Sequence, residues 1–184
     1  MTGRVIRAAL GYQSTKALTM ARDHLSRNDW LIEKPIEVYS MACFFKFSDL
    51  AKLASGHAVK RPTEEWVLHR GVMGRTGMEK LEQLYRARME GLYDILNHSL
   101  EFDFEAGTGE GEGRHGCECG DMRRMESMWD AKVDQVKSNL GAGSELLELL
   151  EVDLRGGWCE ECLVMLGRNI QKCIVEARSL PTSI

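Results

Sequence analysis

Two tight cysteine pairs carry the most specific chemistry in this chain. Cys117 and Cys119 stand in His-Gly-Cys-Glu-Cys-Gly-Asp, and Cys159 and Cys162 in Gly-Gly-Trp-Cys-Glu-Glu-Cys. A C-x-C followed about forty residues later by a C-x-x-C meets the demands of a tetrahedral zinc ion. Each pair turns two thiolates toward one point, and two pairs close the shell with four sulfurs. The expected ligands are therefore Cys117, Cys119, Cys159 and Cys162, with His115 as a substitute for one sulfur. Four sulfurs leave no position for a reacting water, so the expected zinc is structural rather than catalytic. Such a site contributes on the order of 10 kcal/mol of apparent binding energy to folding. Two readings compete with it: four ordinary thiols near loops, and a redox dithiol at Cys159 and Cys162. The redox reading wants a β-α-β setting.

Other candidate chemistry is thin. Cys173 lies about 16 Å along a helix from Cys162 and cannot share its ion, so a buried core thiol is expected there, as for Cys43. Asp23-His24 and Asn97-His98-Ser99 bring polar residues together, but neighbours on a helix point apart and form no ready triad. His24, His57, His69 and His98 are scattered and read as surface or cap residues. The glycines at 107, 109, 111 and 113 lack the lysine and preceding strand of a phosphate loop, and Glu110 and Glu112 would repel phosphate.

The elements that would position the cysteines are helical. Leu18, Ala21 and Leu25 recur at helical spacing between Ser14 and Asn28. Pro35 suits the first turn of a second helix running to about Ser55 and stopped by Gly56. Pro62 opens a short helix through Trp66 and Leu68, ended by Gly71 or Gly74. Thr76 then caps a long helix to about His98, with Met78, Leu81, Leu84, Tyr85, Met89, Leu92, Ile95 and Leu96 on one face. Glu101 to Phe104 reads as a brief extended piece, and Glu105 to Gly116 as an acidic, glycine-rich loop.

Asp121 caps the next helix, whose inner face is Met122, Met125, Trp129, Val133, Val136 and Leu140. Gly141-Ala142-Gly143 breaks it, Ser144 caps a shorter helix through Leu154, and Trp158 to about Arg178 forms the last. Cys117 and Cys119 then precede one helix and Cys159 and Cys162 occupy the first turn of another. There the amide N–H groups favour thiolate. A helical hairpin between the pairs would return the chain to its starting point. No alternating strand pattern of useful length occurs. The expected fold is all-α, an irregular multi-helix bundle with a zinc-clamped C-terminal hairpin. Two regions are expected: residues 1–75, and residues 76–184 with the long helix, the acidic loop and the cysteine pairs.

Lys plus Arg number 24 against 28 Asp plus Glu, a net charge of −4 that argues against nucleic acid as principal partner. A transcription-linked zinc module touching nucleic acid is the alternative, and it would need a basic face from Arg114, Arg123, Arg124 and Lys132. No apolar run is long enough for a transmembrane helix, and Met1 to Arg7 lacks a secretory pattern. An intracellular chain, in cytoplasm or nucleus, is expected, with its cysteines reduced and available to metal.

Several segments together resemble a known family. Ala17-Leu18 through Leu25, then Pro35-Ile36-Glu37-Val38-Tyr39-Ser40-Met41-Ala42-Cys43, look like the helices that follow the core of fungal BTB/POZ domain proteins. Leu84-Tyr85-Arg86-Ala87-Arg88-Met89-Glu90-Gly91-Leu92-Tyr93 is similar to their long helix, and the two cysteine pairs to their C-terminal pairs. The strands and dimer-forming first helix of a BTB core have no counterpart in this sequence. The resemblance therefore implies a helical interaction or scaffold region rather than BTB dimerisation or recruitment of a ubiquitin-ligase scaffold. The expected function is a non-enzymatic protein–protein interaction module with a structural zinc site.

Overall fold

The computed structural model of the chain describes residues 15–99, 122–150 and 160–184. Eight helices occur among them: α1 (Thr15–Leu25), α2 (Asn28–Glu33), α3 (Pro35–Phe45), α4 (Ser48–Ala58), α5 (Thr63–His98), α6 (Met122–Ser138), α7 (Leu146–Leu149) and α8 (Glu160–Ser179). No strand occurs among the described residues, so the all-α class holds. None of these helices is long and apolar enough to cross a membrane. The extended piece at 101–104, the acidic loop and the Asp121 cap lie outside the described residues. The chain divides into two compact units, Met1–Ala87 with Pro181–Ile184, and Arg88–Leu180.

The first unit is built around α3. Its sequence is apolar on every side, and Pro35, Ile36, Val38, Tyr39, Ser40 and Ala42 are all buried. Helices α2 and α4 pack against it. The expected single helix from Pro35 to Ser55 is in fact two, because the chain turns at Lys46. Lys46 takes the left-handed conformation (φ 59°, ψ 35°). The Lys46 N–H donates to the Cys43 carbonyl (3.3 Å) and the Phe47 N–H to the Ala42 carbonyl (2.9 Å), the paired bonds of a Schellman motif. Glycine usually fills this position, so a lysine there leaves no stop signal in the sequence.

Gly56, in turn, does not end α4, which runs on to Ala58. The glycine instead admits a close approach: a Cβ there would fall 2.6 Å from the Thr182 carbonyl oxygen. Beside it, the Ile184 N–H donates to Ser55 Oγ (3.2 Å), which seats residues 181–184 along α4. Trp66, 1% exposed, donates its indole N–H to the Ala58 carbonyl (3.1 Å) and meets Tyr85 edge-on (5.6 Å). The same carbonyl, at the end of α4, also accepts the Arg61 N–H (3.1 Å).

The run α5 is two helical segments meeting at a kink at Gly74, one of the two glycines expected to end the first of them. Gly74 sits at φ 73°, ψ 170°, a combination open essentially to glycine alone. Beyond the bend the predicted face is buried as expected, including Met78, Leu81, Leu84, Leu92, Ile95 and Leu96.

From Arg88 onward α5 belongs to the second unit. Leu92, Ile95 and Leu96 form its core with Trp129, Val133 and Val136 of α6, Leu146 and Leu150, and Leu166 and Cys173 of α8. Trp129 is fully buried and donates its indole N–H to the Ser99 carbonyl (2.9 Å). Helix α7 is a single turn, and Ser144 does not cap it. The Ser144 hydroxyl accepts the Gly141 N–H instead (2.8 Å) and closes the turn between α6 and α7. Arg88, 8% exposed, donates from Nε to the Ala142 carbonyl in that turn (2.8 Å). Burial lowers the Arg88 pKa, opposed by the charge of Glu145.

Candidate functional site

Of the four expected zinc ligands, Cys117, Cys119 and Cys159 lie outside the described residues, as does His115. Cys162 lies in the first turn of α8 and is 1% exposed. Its seclusion suits a structural metal ligand, since a thiolate shielded from water binds without competing hydration. It suits a core thiol equally well. Among the described residues no group of three or more His, Cys, Asp or Glu side chains could hold a metal ion.

The other two thiols occupy the places expected of packing residues. Cys173 is buried in the second core, and burial raises its pKa against the effect of a hydrogen bond with Ser99. Cys43 is half-buried on α3 beside Tyr39. Burial raises the Cys43 pKa, opposed by a hydrogen bond with Tyr39 and the charge of Lys80. The fully buried Tyr39 hydroxyl donates to the Gly77 carbonyl (2.8 Å). Its pKa is raised strongly, first by burial and then by the neighbouring Cys43. Raised values keep these groups protonated, the opposite of what an activated nucleophile needs.

Of the histidines, His98 is exposed while His24, His57 and His69 are half-buried. His98 donates from Nδ1 to the Asp94 carbonyl one turn earlier (2.7 Å), and the His24 ring lies against Trp30 (5.5 Å between centroids). Of the basic residues that nucleic acid would require, Arg114 lies outside the described residues, Arg124 is exposed on α6 and Lys132 is half-buried. A shallow groove of about 390 Å³ runs along α8, lined by Glu160, Val164, Met165 and Arg168.

The surface of α5 before its bend is the feature the sequence reading passed over. Trp66 and Met73 turn inward from this segment and are buried. A second stripe turns outward at the i, i+3/i+4 spacing of one helix face: Glu64, Val67, Leu68, Gly71 and Val72, all exposed. Leu68 is 83% exposed, Val67 61% and Val72 40%. Acidic residues mark the beginning of this segment at Glu64 and Glu65, and Arg70 stands near its end. The signal was present in the sequence as a second apolar phase, offset from Trp66 and Met73.

No protein-family model matches the chain, and no curated protein or solved structure matches it significantly.

Proposed function

We propose that this chain is a non-enzymatic protein–protein interaction module, stabilised by a structural zinc ion held by Cys117, Cys119, Cys159 and Cys162. The observation that carries the docking role is the outward stripe of α5, where Val67, Leu68 and Val72 share one exposed helix face. Single exposed apolar residues are ordinary, but several on one face mark a surface that association would cover. The resemblance to the helices following a fungal BTB/POZ core points to the same scaffold role.

The zinc reading rests on the spacing of the two cysteine pairs. When bound, the ion would supply cross-linking of two chain segments rather than Lewis-acid chemistry, since four thiolates fill its shell.

Site-specific photo-crosslinking tests the docking role. A photoreactive side chain at position 68 should capture protein in cells of the source, while one at the exposed Lys52 of α4 should not. Equal capture at both positions, or none at 68, removes the basis for the reading. Elemental analysis tests the metal: one zinc per chain is expected, lost in Cys117→Ser and in Cys159→Ser. Undiminished zinc in both variants would exclude this ligand set.

A further inference from the structure

We propose that the face of α4 at Ser55 and Gly56 is a groove for an extended peptide, filled here by the chain's own residues 181–184 and open to a partner's segment that displaces them. It lies on a different helix from the outward stripe of α5 and is carried by different contacts. The segment leaves the end of α8 through Leu180 and Pro181 and adopts neither helix nor strand. A proline holds the residue before it out of the helical region and sends the chain on extended. Residues 181–184 then lie with α4 in the first unit.

The contacts that seat the segment come from its main chain. A Cβ on Gly56 would fall 2.6 Å from the Thr182 carbonyl oxygen, so the floor of the groove exists because position 56 is glycine. Two residues on, the Ile184 N–H donates to Ser55 Oγ (3.2 Å). The Ser55 hydroxyl donates its own proton to the Lys52 carbonyl (2.7 Å), which fixes its oxygen as an acceptor toward the segment. Pro181 and Thr182 are exposed, while Ser183 and Ile184 are half-buried. A carbonyl and, two positions later, an N–H recur along any extended chain. The groove therefore reads backbone in a set register, the way extended peptides are recognised by added strands, and no side chain unique to this segment is needed. The partner that fits is an extended, proline-led segment with an aliphatic residue in the place of Ile184.

Tethering gives the chain's own segment an effective concentration on the order of millimolar, so it competes strongly with a free peptide. Ile184→Pro removes the N–H that Ser55 accepts. Losing that bond shifts the balance toward the open groove about fivefold. Two-dimensional amide NMR of the full chain reads the result, with the probe Leu-Pro-Thr-Ser-Ile, blocked at both ends, added to about 5 mM. In the Ile184→Pro chain the probe should shift the Ser55 and Gly56 amides saturably, with a Kd severalfold tighter than in the wild type. In a chain carrying both Ile184→Pro and Gly56→Ala the floor is closed, and these amides should not respond. Alanine favours helix, so α4 should persist in that chain, which far-UV circular dichroism checks. A second probe with proline in place of its isoleucine lacks the N–H and should bind about fivefold more weakly. No saturable shift in the Ile184→Pro chain overturns the proposal. So does an equal response with Gly56→Ala present, or equal affinity for the two probes. A wild type that exchanges the segment between copies, seen as a dimer by sedimentation, gives the groove to a second copy and overturns the partner assignment. None of these outcomes bears on crosslinking at position 68.

Discussion

Alanine at Gly74 and alanine at Gly71 should move stability in opposite directions, although the two glycines lie about one turn apart in α5. A Cβ at either position would meet nothing within 4 Å, so neither change creates a contact or a clash. Backbone conformation alone separates them. At φ 73° and ψ 170°, Gly74 occupies a region that costs a side-chain-bearing residue about 1–3 kcal/mol. The smaller chain entropy of alanine in the unfolded state offsets about 0.4–1 kcal/mol of that, if the backbone holds its position. The net expectation for Gly74→Ala is a loss centred near 1 kcal/mol and no larger than about 2.6 kcal/mol, or relaxation of the bend. Gly71 lies within the helical run, and Gly74 is the one non-helical residue inside α5. Gly71→Ala should therefore gain about 0.5–1 kcal/mol from helix propensity. Urea unfolding followed by far-UV circular dichroism measures both. Midpoints that both rise, or a Gly74→Ala variant more stable than wild type, would refute the argument that the bend depends on a glycine-only backbone.

Three further outcomes are expected. Lys46→Gly should stabilise the first unit by up to about 1.5 kcal/mol, because glycine avoids the steric cost of about 1–2 kcal/mol carried by the left-handed Lys46 that closes α3 while giving back about 0.4–1 kcal/mol of unfolded-chain entropy; a lower urea midpoint would contradict this. Gly56→Ala should displace residues 181–184 from α4, since the new methyl would meet the Thr182 carbonyl at 2.6 Å. Hydrogen exchange at the Ile184 amide, now bonded to Ser55, should accelerate, and unchanged exchange would count against the seating. Stability should also fall in alkali. Cys43 and Cys173 are raised from 9.0 and Tyr39 from 10.0, in each case chiefly by burial. The unfolded chain releases these protons first, so the native state binds more of them and stability declines as pH rises above about 9. Below that these three groups contribute no slope. Urea midpoints at about pH 8 and about pH 10.5 check the sign, and Cys173→Ala should remove part of the decline.

Much of the helical layout was legible before any coordinates. The face of α5 from Met78 to Leu96 and the α6 face of Met125, Trp129, Val133 and Val136 follow from spacing, and both are buried. Period encodes which residues share a helix face, and long apolar runs at that period leave little choice. The same rule accounts for the all-α class, since nothing alternates at the period of a strand.

Local pattern does not say which face finds a neighbour. On the first part of α5, Trp66 and Met73 form one apolar phase and Val67, Leu68 and Val72 another, and only packing assigned the first to the core. The turn at Lys46 and the passage of α4 through Gly56 are likewise non-local outcomes. A lysine holds a left-handed turn because its hydrogen bonds and the buried helices around it outweigh a strain of about 1 kcal/mol. A glycine inside a helix survives where the Thr182 backbone needs its missing side chain. The cysteine pairs divide in the same way. Their separations of two and three positions are written in the chain, but convergence on one ion depends on long-range closure, which residue spacing cannot encode.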